Sequence, residues 1–358
     1  MAFHLKSVSG GPLVLDGGLA TELEATGLKL QGDPLWSARI LHTNPQAVKD
    51  AHSRFLCSGA DVITTATYQA SIQGFITHLG MNSEQAGELL MSGVRLAREA
   101  VQQFTTDNPS PERQVPLVAG SVGPYGAYLH DGSEYTGVYA EEMSVEELKA
   151  WHRPQIQCLV TAGADLVAME TIPSVKEAEA LVELLREFPS AAAWLSFSCK
   201  VLAAAVDNEL QVAMTRDMAD LYITITCVTA SPQDERCVSD GRRFTEAVQV
   251  ASRSKQVVGV GVNCCPPGLV TPLLASAVTQ KTPDFGWVAY PNSGEGWDVE
   301  SGWRPSENIV PIAELCVEWM TQGASLIGGC CRIRPAQIAE LRQQLYRGLD
   351  THRTALCD

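Results

Sequence analysis

Three cysteines offer the most definite chemistry in this sequence. Cys330 and Cys331 follow Gly328-Gly329 at the end of one apolar run, and Cys264 closes another in the order Val262-Asn263-Cys264. Thiolates bind Zn²⁺ in a tetrahedral shell at about 2.3 Å, and three protein ligands leave a fourth position open, as in catalytic rather than structural sites. An all-sulfur shell makes the ion a weak Lewis acid toward water, yet able to take up a second thiol and hold it deprotonated. That combination suits alkyl transfer to sulfur better than hydrolysis. Cys265 forms a second vicinal pair with Cys264, so a closed structural zinc site with four cysteines is the competing arrangement. Cys57, Cys158, Cys199 and Cys316 fit the role of small buried hydrophobes.

Two carboxylates, Asp16 and Glu170, interrupt apolar runs. A buried charge needs a partner. It is either an internal arginine or backbone amide, or the ammonium of an amino-acid substrate. Asp16-Gly17-Gly18 also presents backbone N–H groups to a carboxylate. Histidines 4, 42, 52, 78, 130, 152 and 352 show no paired spacing and none ends a strand, which argues against histidine-held zinc and Ser-His-Asp catalysis.

The elements that must position these groups are legible as a rhythm. Eight apolar runs, 13–18, 61–69, 116–124, 165–173, 191–199, 257–265, 285–294 and 325–331, alternate with amphipathic helical stretches. This pattern predicts a single (β/α)8 TIM barrel of the α/β class. A doubly wound open sheet is the alternative, but no Gly-x-Gly-x-x-Gly follows the first strand. Asn44-Pro45 reads as a helix start, Ser144–Glu147 and Ser174–Glu177 as capping boxes, and 305–323 and 335–348 as helices running from proline to glycine. Active sites of such barrels lie at the C-terminal strand ends. Here those ends bring Asp16, Thr67, Tyr68, Gly123, Pro124, Glu170, Ser198, Cys264, Asn292, Cys330 and Cys331 to one rim. Adjacent strand residues point to opposite faces. Cys330 and Cys331 therefore converge only if the backbone turns, and Gly328-Gly329 is expected to supply the freedom. Trp36 fits packing or pocket lining equally well.

With 358 residues, 45% of them hydrophobic, the chain is read as one domain over 1–358. A net charge of −15 argues against nucleic acid or an anionic membrane as partner. No apolar run reaches the roughly 18–20 residues of a membrane span. The start, Met1-Ala-Phe-His-Leu-Lys6, has no secretory apolar region, so a cytoplasmic location with reduced thiols is expected.

These residues carry a resemblance. Leu15–Leu23, Asp33–Ala38, Thr65–Ala70, Gly120–Tyr128, Asp131–Tyr135, Glu170–Pro173, Ser196–Ser198, Gly261–Cys264, Tyr290–Glu295 and Gly328–Cys331 together are similar to the homocysteine S-methyltransferases. The likeness is greatest to the branch that uses S-methylmethionine or S-adenosylmethionine. It implies one zinc on Cys264, Cys330 and Cys331, and homocysteine contacts from Asp16, Gly17 and Glu170. Tyr68 and Asn292 take pocket roles. The implied reaction is attack of the homocysteine thiolate on the methyl carbon of a sulfonium donor, giving methionine. No cobalamin or folate module is recognisable, and the short stretch after the last helix suggests a monomer or loose dimer.

One stretch departs from the pattern. The 33 residues 201–233 separate Cys199-Lys200 from Asp234-Glu235, which the family pattern joins directly. Valine codons begin GT and one glutamine codon ends AG, so both ends are compatible with splice boundaries. A retained intron or alternative exon is the first reading, and a genuine loop over the pocket the second. The functional alternative to an active methyltransferase is therefore a zinc-binding but catalytically silent paralogue or splice form. A redox-sensing thiol protein is a third reading.

Overall fold

Each of the eight apolar runs forms a strand of one parallel sheet in the computed structural model, which describes residues 10–110, 113–202, 235–298, 302–304 and 309–355. The strands are β1 (Leu13–Val14), β2 (Val62–Thr64), β3 (Leu117–Val122), β4 (Leu166–Ile172), β5 (Ala193–Phe197), β6 (Val257–Asn263), β7 (Gly286–Tyr290) and β8 (Ala324–Ile327). The principal helices between them are α1 (Pro45–Cys57), α2 (Ser83–Asp107), α3 (Val145–Thr161), α4 (Val175–Leu184), α5 (Phe244–Ala251), α6 (Val270–Ser276) and α7 (Ile312–Thr321), with α8 (Pro335–Ala355) after the last strand. Neighbours in the sheet follow the order β1-β8-β7-β6-β5-β4-β3-β2. A parallel bridge between Leu15 and Val62 closes the ring, with Asp16 N–H donating to Val62 O at 3.0 Å. The open-sheet alternative is thereby excluded.

The period-2 alternation of strand residues divides the core in two. Leu13, Leu15, Val62, Ala168, Trp194 and Leu326 fill the barrel interior. Val14, Val118, Val167 and Leu195 pack outward against the helices. Burial on both faces is why the strands read as continuous apolar runs.

The helix starts follow local chemistry. Asn44 Oδ1 accepts from Ala47 N, with Pro45 in the first turn. Ser144 and Glu147 form the expected capping box. The other expected box does not form. Ser174 Oγ accepts from Lys176 N, while Glu177 is drawn away into a buried network. It accepts from Tyr125 N–H at 2.8 Å and the Tyr139 hydroxyl at 2.5 Å, and lies 2.8 Å from His152 Nε2. The burial of Glu177 outweighs the modest gain of a surface cap. Two helix bounds also differ. The helix expected over 305–323 begins at Ile312, behind Pro311. The last helix runs through Gly348 to Ala355, since one internal glycine costs only about 1 kcal/mol.

At the catalytic end of β5 the chain forms an antiparallel hairpin, Cys199–Leu202 against Glu235–Val238. The segment 201–233, Val201 and Leu202 apart, lies outside the described residues. Among the described residues, no helix is long and apolar enough to cross a membrane.

Candidate metal centre and substrate pocket

The inward alternation that fills the lower barrel with Ala119, Ala168, Trp194 and Val288 places Ser121, Glu170, Ser196 and Tyr290 one step higher. There the interior turns polar. Ser121 Oγ donates to Glu170 Oε1 in a short contact. Trp194 Nε1–H donates to the Tyr290 hydroxyl at 2.9 Å, which lies 2.5 Å from Ser196 Oγ. Beside them Asp16 accepts from Thr64 N–H at 2.8 Å and Thr64 Oγ1 at 3.1 Å.

The three sulfurs meet directly above this layer. Cys264 leaves β6 with a left-handed φ of 49°, which turns the chain out of the strand. After β8 the backbone is pinned at each step. Gly328 N–H donates to Ala289 O at 3.0 Å, Gly329 N–H to Asp16 O at 3.1 Å, and Cys330 N–H to Pro291 O at 2.8 Å. The expectation that Gly328-Gly329 provides conformational freedom is corrected here. Neither has a positive φ. Both are needed for close approach, because a Cβ would lie 2.5 Å from Leu15 Cβ at Gly328 and 2.3 Å from Ile333 Cγ2 at Gly329.

Cys264, Cys330 and Cys331 place their Sγ atoms within 4.8 Å of one another. Cys331 Sγ lies 3.9 Å from Cys264 Sγ, close to the ~3.8 Å edge of a tetrahedron drawn with metal–sulfur bonds of about 2.3 Å. Cys264 and Cys330 are in disulfide contact, so a bound ion requires that pair reduced. Burial, reinforced by Glu170, pushes the Cys331 thiol up to about 12. Such a thiol ionises near neutrality only against a cation. Geometry and chemistry both fit a soft divalent metal. Cys265, buried and likewise pushed to about 12 by desolvation, stands outside the cluster.

The carboxylates lack cations as well. Asp16 is 2% exposed and Glu170 9%. Burial raises Asp16 to about 8, with Glu170 adding like-charge repulsion, and raises Glu170 to about 7. Among the described residues neither forms an ion pair. The contrast with Asp61, at the opposite end of the barrel, is direct: Arg342 Nη1 lies 2.9 Å from its carboxylate.

The other anticipated residues divide. Tyr68 sits against Thr171, Tyr135 and Glu170, with its ring 6.3 Å from that of Trp36. Gly17 has no room for a side chain, since a Cβ there would lie 2.4 Å from Ile333 O. Gly18 N–H donates to Ile333 O at 2.8 Å, so that donor is not open to a substrate carboxylate as anticipated. Asn292 Oδ1 accepts from Gly294 N–H at 2.9 Å and shapes the turn after β7. Cys199 and Cys316 are buried as expected, but Cys57 is exposed and Cys158 only half-buried.

Asn263 was missed by the sequence reading as a side chain in its own right. Thr171, a β-branched residue, is held at φ 59°, a strained conformation for such a side chain. Asn263 Oδ1 accepts from Thr171 N–H, and Asn263 Nδ2 donates to Thr171 Oγ1, each at 2.8 Å. The same amide lies 4.0 Å from Cys330 Sγ. It thus joins the turn that orients Glu170 to the sulfur cluster. Glu134, within the Asp131–Tyr135 stretch, was also not singled out. Its Oε2 is buried without a hydrogen-bond partner.

A closed (β/α)8 barrel with a three-sulfur cluster that could hold a metal ion and two cation-free acids at its C-terminal rim defines the class: a barrel whose polar site lies at the strand ends. Residues 13–345 match the family model described as homocysteine S-methyltransferase, and the chain belongs to that family of methyltransferases. It is 39% identical to a Drosophila melanogaster betaine-homocysteine S-methyltransferase, covering 92% of this chain and 93% of the relative. It is 40% identical to homocysteine S-methyltransferase 3 of Zea mays, covering 96% and 93%. The metallated form of the Escherichia coli homocysteine methyltransferase MmuM superposes with a TM-score of 0.74 at 37% identity, covering 93% of this chain and 96% of that one.

Proposed function

We propose that this protein transfers a methyl group from a sulfonium donor, S-methylmethionine or S-adenosylmethionine, to the sulfur of homocysteine, giving methionine, with zinc held by Cys264, Cys330 and Cys331. The observation that carries this reading is the meeting of three sulfurs within 4.8 Å beside two buried acids that have no cation of their own. Bound zinc would supply a site where the substrate thiol is held as its thiolate. The chain's own residues do the rest. Asp16 and Glu170 receive the homocysteine ammonium, whose charge offsets the cost of ionising both acids in the interior. Ser121 and Thr64 fix the two carboxylates, and the Asn263–Thr171 pair fixes the turn after Glu170. Tyr68 walls the pocket. The activated methyl group needs no acid catalyst, so positioning of the two sulfurs supplies most of the acceleration.

The residues 1–358 are read as a single barrel domain with 201–233 as an insertion. A catalytically silent paralogue or splice form is the second reading, motivated by the 201–233 stretch that separates the paired strands Cys199–Leu202 and Glu235–Val238. Incubation with homocysteine and S-methylmethionine, with and without a zinc chelator, separates the two. Methionine formation abolished by chelation and restored by zinc supports the active enzyme. Zinc-loaded protein without turnover supports the silent form.

A further inference from the structure

Glu134 is an acid on the sulfur-bearing face that nothing in the homocysteine site uses. Its Oε2 is shut off from solvent and has no hydrogen-bond partner. The charged neighbour it feels is Asp131, of the same sign, and among the described residues it forms no ion pair. Its backbone has little room to relax. Ser198 Oγ donates to Glu134 O at 3.2 Å. A Cβ on Gly126 would lie 2.5 Å from Glu134 N. The loop is further anchored by Tyr125 and Tyr139 on buried Glu177. Ser198 directly follows β5 at the C-terminal end of the barrel, so the Glu134 loop lies on the face where the sulfurs meet. A carboxylate fixed in such a place is costly unless a cation joins it.

Homocysteine brings one ammonium, and Asp16 and Glu170 already receive it. The second substrate of the proposed reaction carries a positive charge on the atom that bears the methyl group. We propose that Glu134 is the residue that binds this onium centre of the methyl donor, with the Tyr68 and Tyr135 rings beside it, and so selects charged over neutral donors. Aromatic faces add to the attraction for such soft cations. The inference rests on the reading that the donor is an onium compound. It covers a sulfonium and a quaternary ammonium alike.

In the transfer, the bond between the methyl carbon and the donor heteroatom breaks, and its electron pair stays on that heteroatom, which becomes neutral. The homocysteine thiolate supplies the pair for the new carbon–sulfur bond, and no proton moves. Positive charge on the donor therefore fades toward the transition state. Glu134 stabilises the bound donor at least as much as the transition state, so its loss should raise KM and leave kcat unchanged or somewhat higher.

The test compares wild type, E134Q and D131N, the last a control at the exposed start of the same turn. Donor kinetics are measured with S-methylmethionine and separately with glycine betaine, to distinguish the two onium sources. In parallel, calorimetry on homocysteine-loaded protein compares S-methylmethionine with its uncharged carbon isostere, 2-amino-5-methylhexanoate. The expected result is a donor KM raised roughly thirtyfold or more in E134Q, the range for neutralising one member of a desolvated charge pair. Then kcat does not fall, homocysteine KM and metal content stay nearly unchanged, and D131N behaves as wild type. Wild type should bind the sulfonium in preference to the isostere, and E134Q should erase that preference. An unchanged donor KM, an equal rise in homocysteine KM, or no preference for charge in wild type would overturn the proposal. If wild type turns over neither donor, the proposed reaction fails on its own, while calorimetry still decides the role of Glu134.

Discussion

At the scale of single residues, burial sets the electrostatics of the site. Asp16 is raised from 3.8 to about 8 and Glu170 from 4.5 to about 7, both chiefly by desolvation. A carboxyl group whose folded pKa exceeds its unfolded value binds more protons when folded, so its contribution to stability declines as pH rises between the two values. In ligand-free protein, D16N should therefore gain thermal stability relative to wild type as pH rises from about 4 to about 8. Melting curves across that window check it, and a constant difference would contradict the burial argument. Asn263 makes a second case. N263A removes both bonds that hold Thr171 in its left-handed turn. It should lower stability by about 1–3 kcal/mol and weaken homocysteine binding through misplacement of Glu170, measured by denaturant titration and calorimetry.

The residue types were largely readable in advance, because thiols and carboxylates on apolar strands are conspicuous. The supporting turn was not. Nothing in a Glu-Thr dipeptide signals a β-branched residue at positive φ, and the amide that supports it lies 92 positions away. The crowding at Gly17, Gly328 and Gly329, where β1 and β8 meet the chain beyond them, is a long-range property that sequence spacing does not display.

At the scale of elements, two features carry predictions. Glu177 sits at the foot of the β3 loop, holding Tyr125 and Tyr139 while touching His152. E177A strands those donors in the core and should cost about 3 kcal/mol or more, seen as a lower melting temperature. The local reading of Ser174–Glu177 as a capping box failed because a tertiary demand from 25 to 52 residues away claimed the glutamate.

The second feature is the hairpin after β5. Cys199 pairs with Val238 and Lys200 with Cys237. Removing 201–233 leaves these pairs joined by residues 234–236 alone, and three-residue hairpin loops are common. The deleted protein should fold, with its metal content and homocysteine affinity intact. Loss of metal on deletion would show that the segment supports the barrel and is no removable insert. The hairpin emerges on the catalytic face, where Ser198 contacts both Ser239 and the Glu134 backbone. Donor KM is therefore the kinetic parameter in which any effect of the segment should appear.

At the scale of the whole molecule, the ring of parallel strands brings β6 and β8, which are separated in sequence by a whole β/α unit, close enough for their terminal cysteines to share one ion. The fold class was legible because strands buried on both faces write unbroken apolar runs, and eight of them at regular spacing leave few topologies. The most direct measurement of the central claim is X-ray absorption at the zinc edge of the reduced, zinc-loaded protein, with and without homocysteine. With three sulfur ligands from the chain, the account predicts one lighter ligand replaced by sulfur on adding homocysteine, so that the sulfur count rises from three to four. A shell of four protein sulfurs that does not change when homocysteine is added would contradict it.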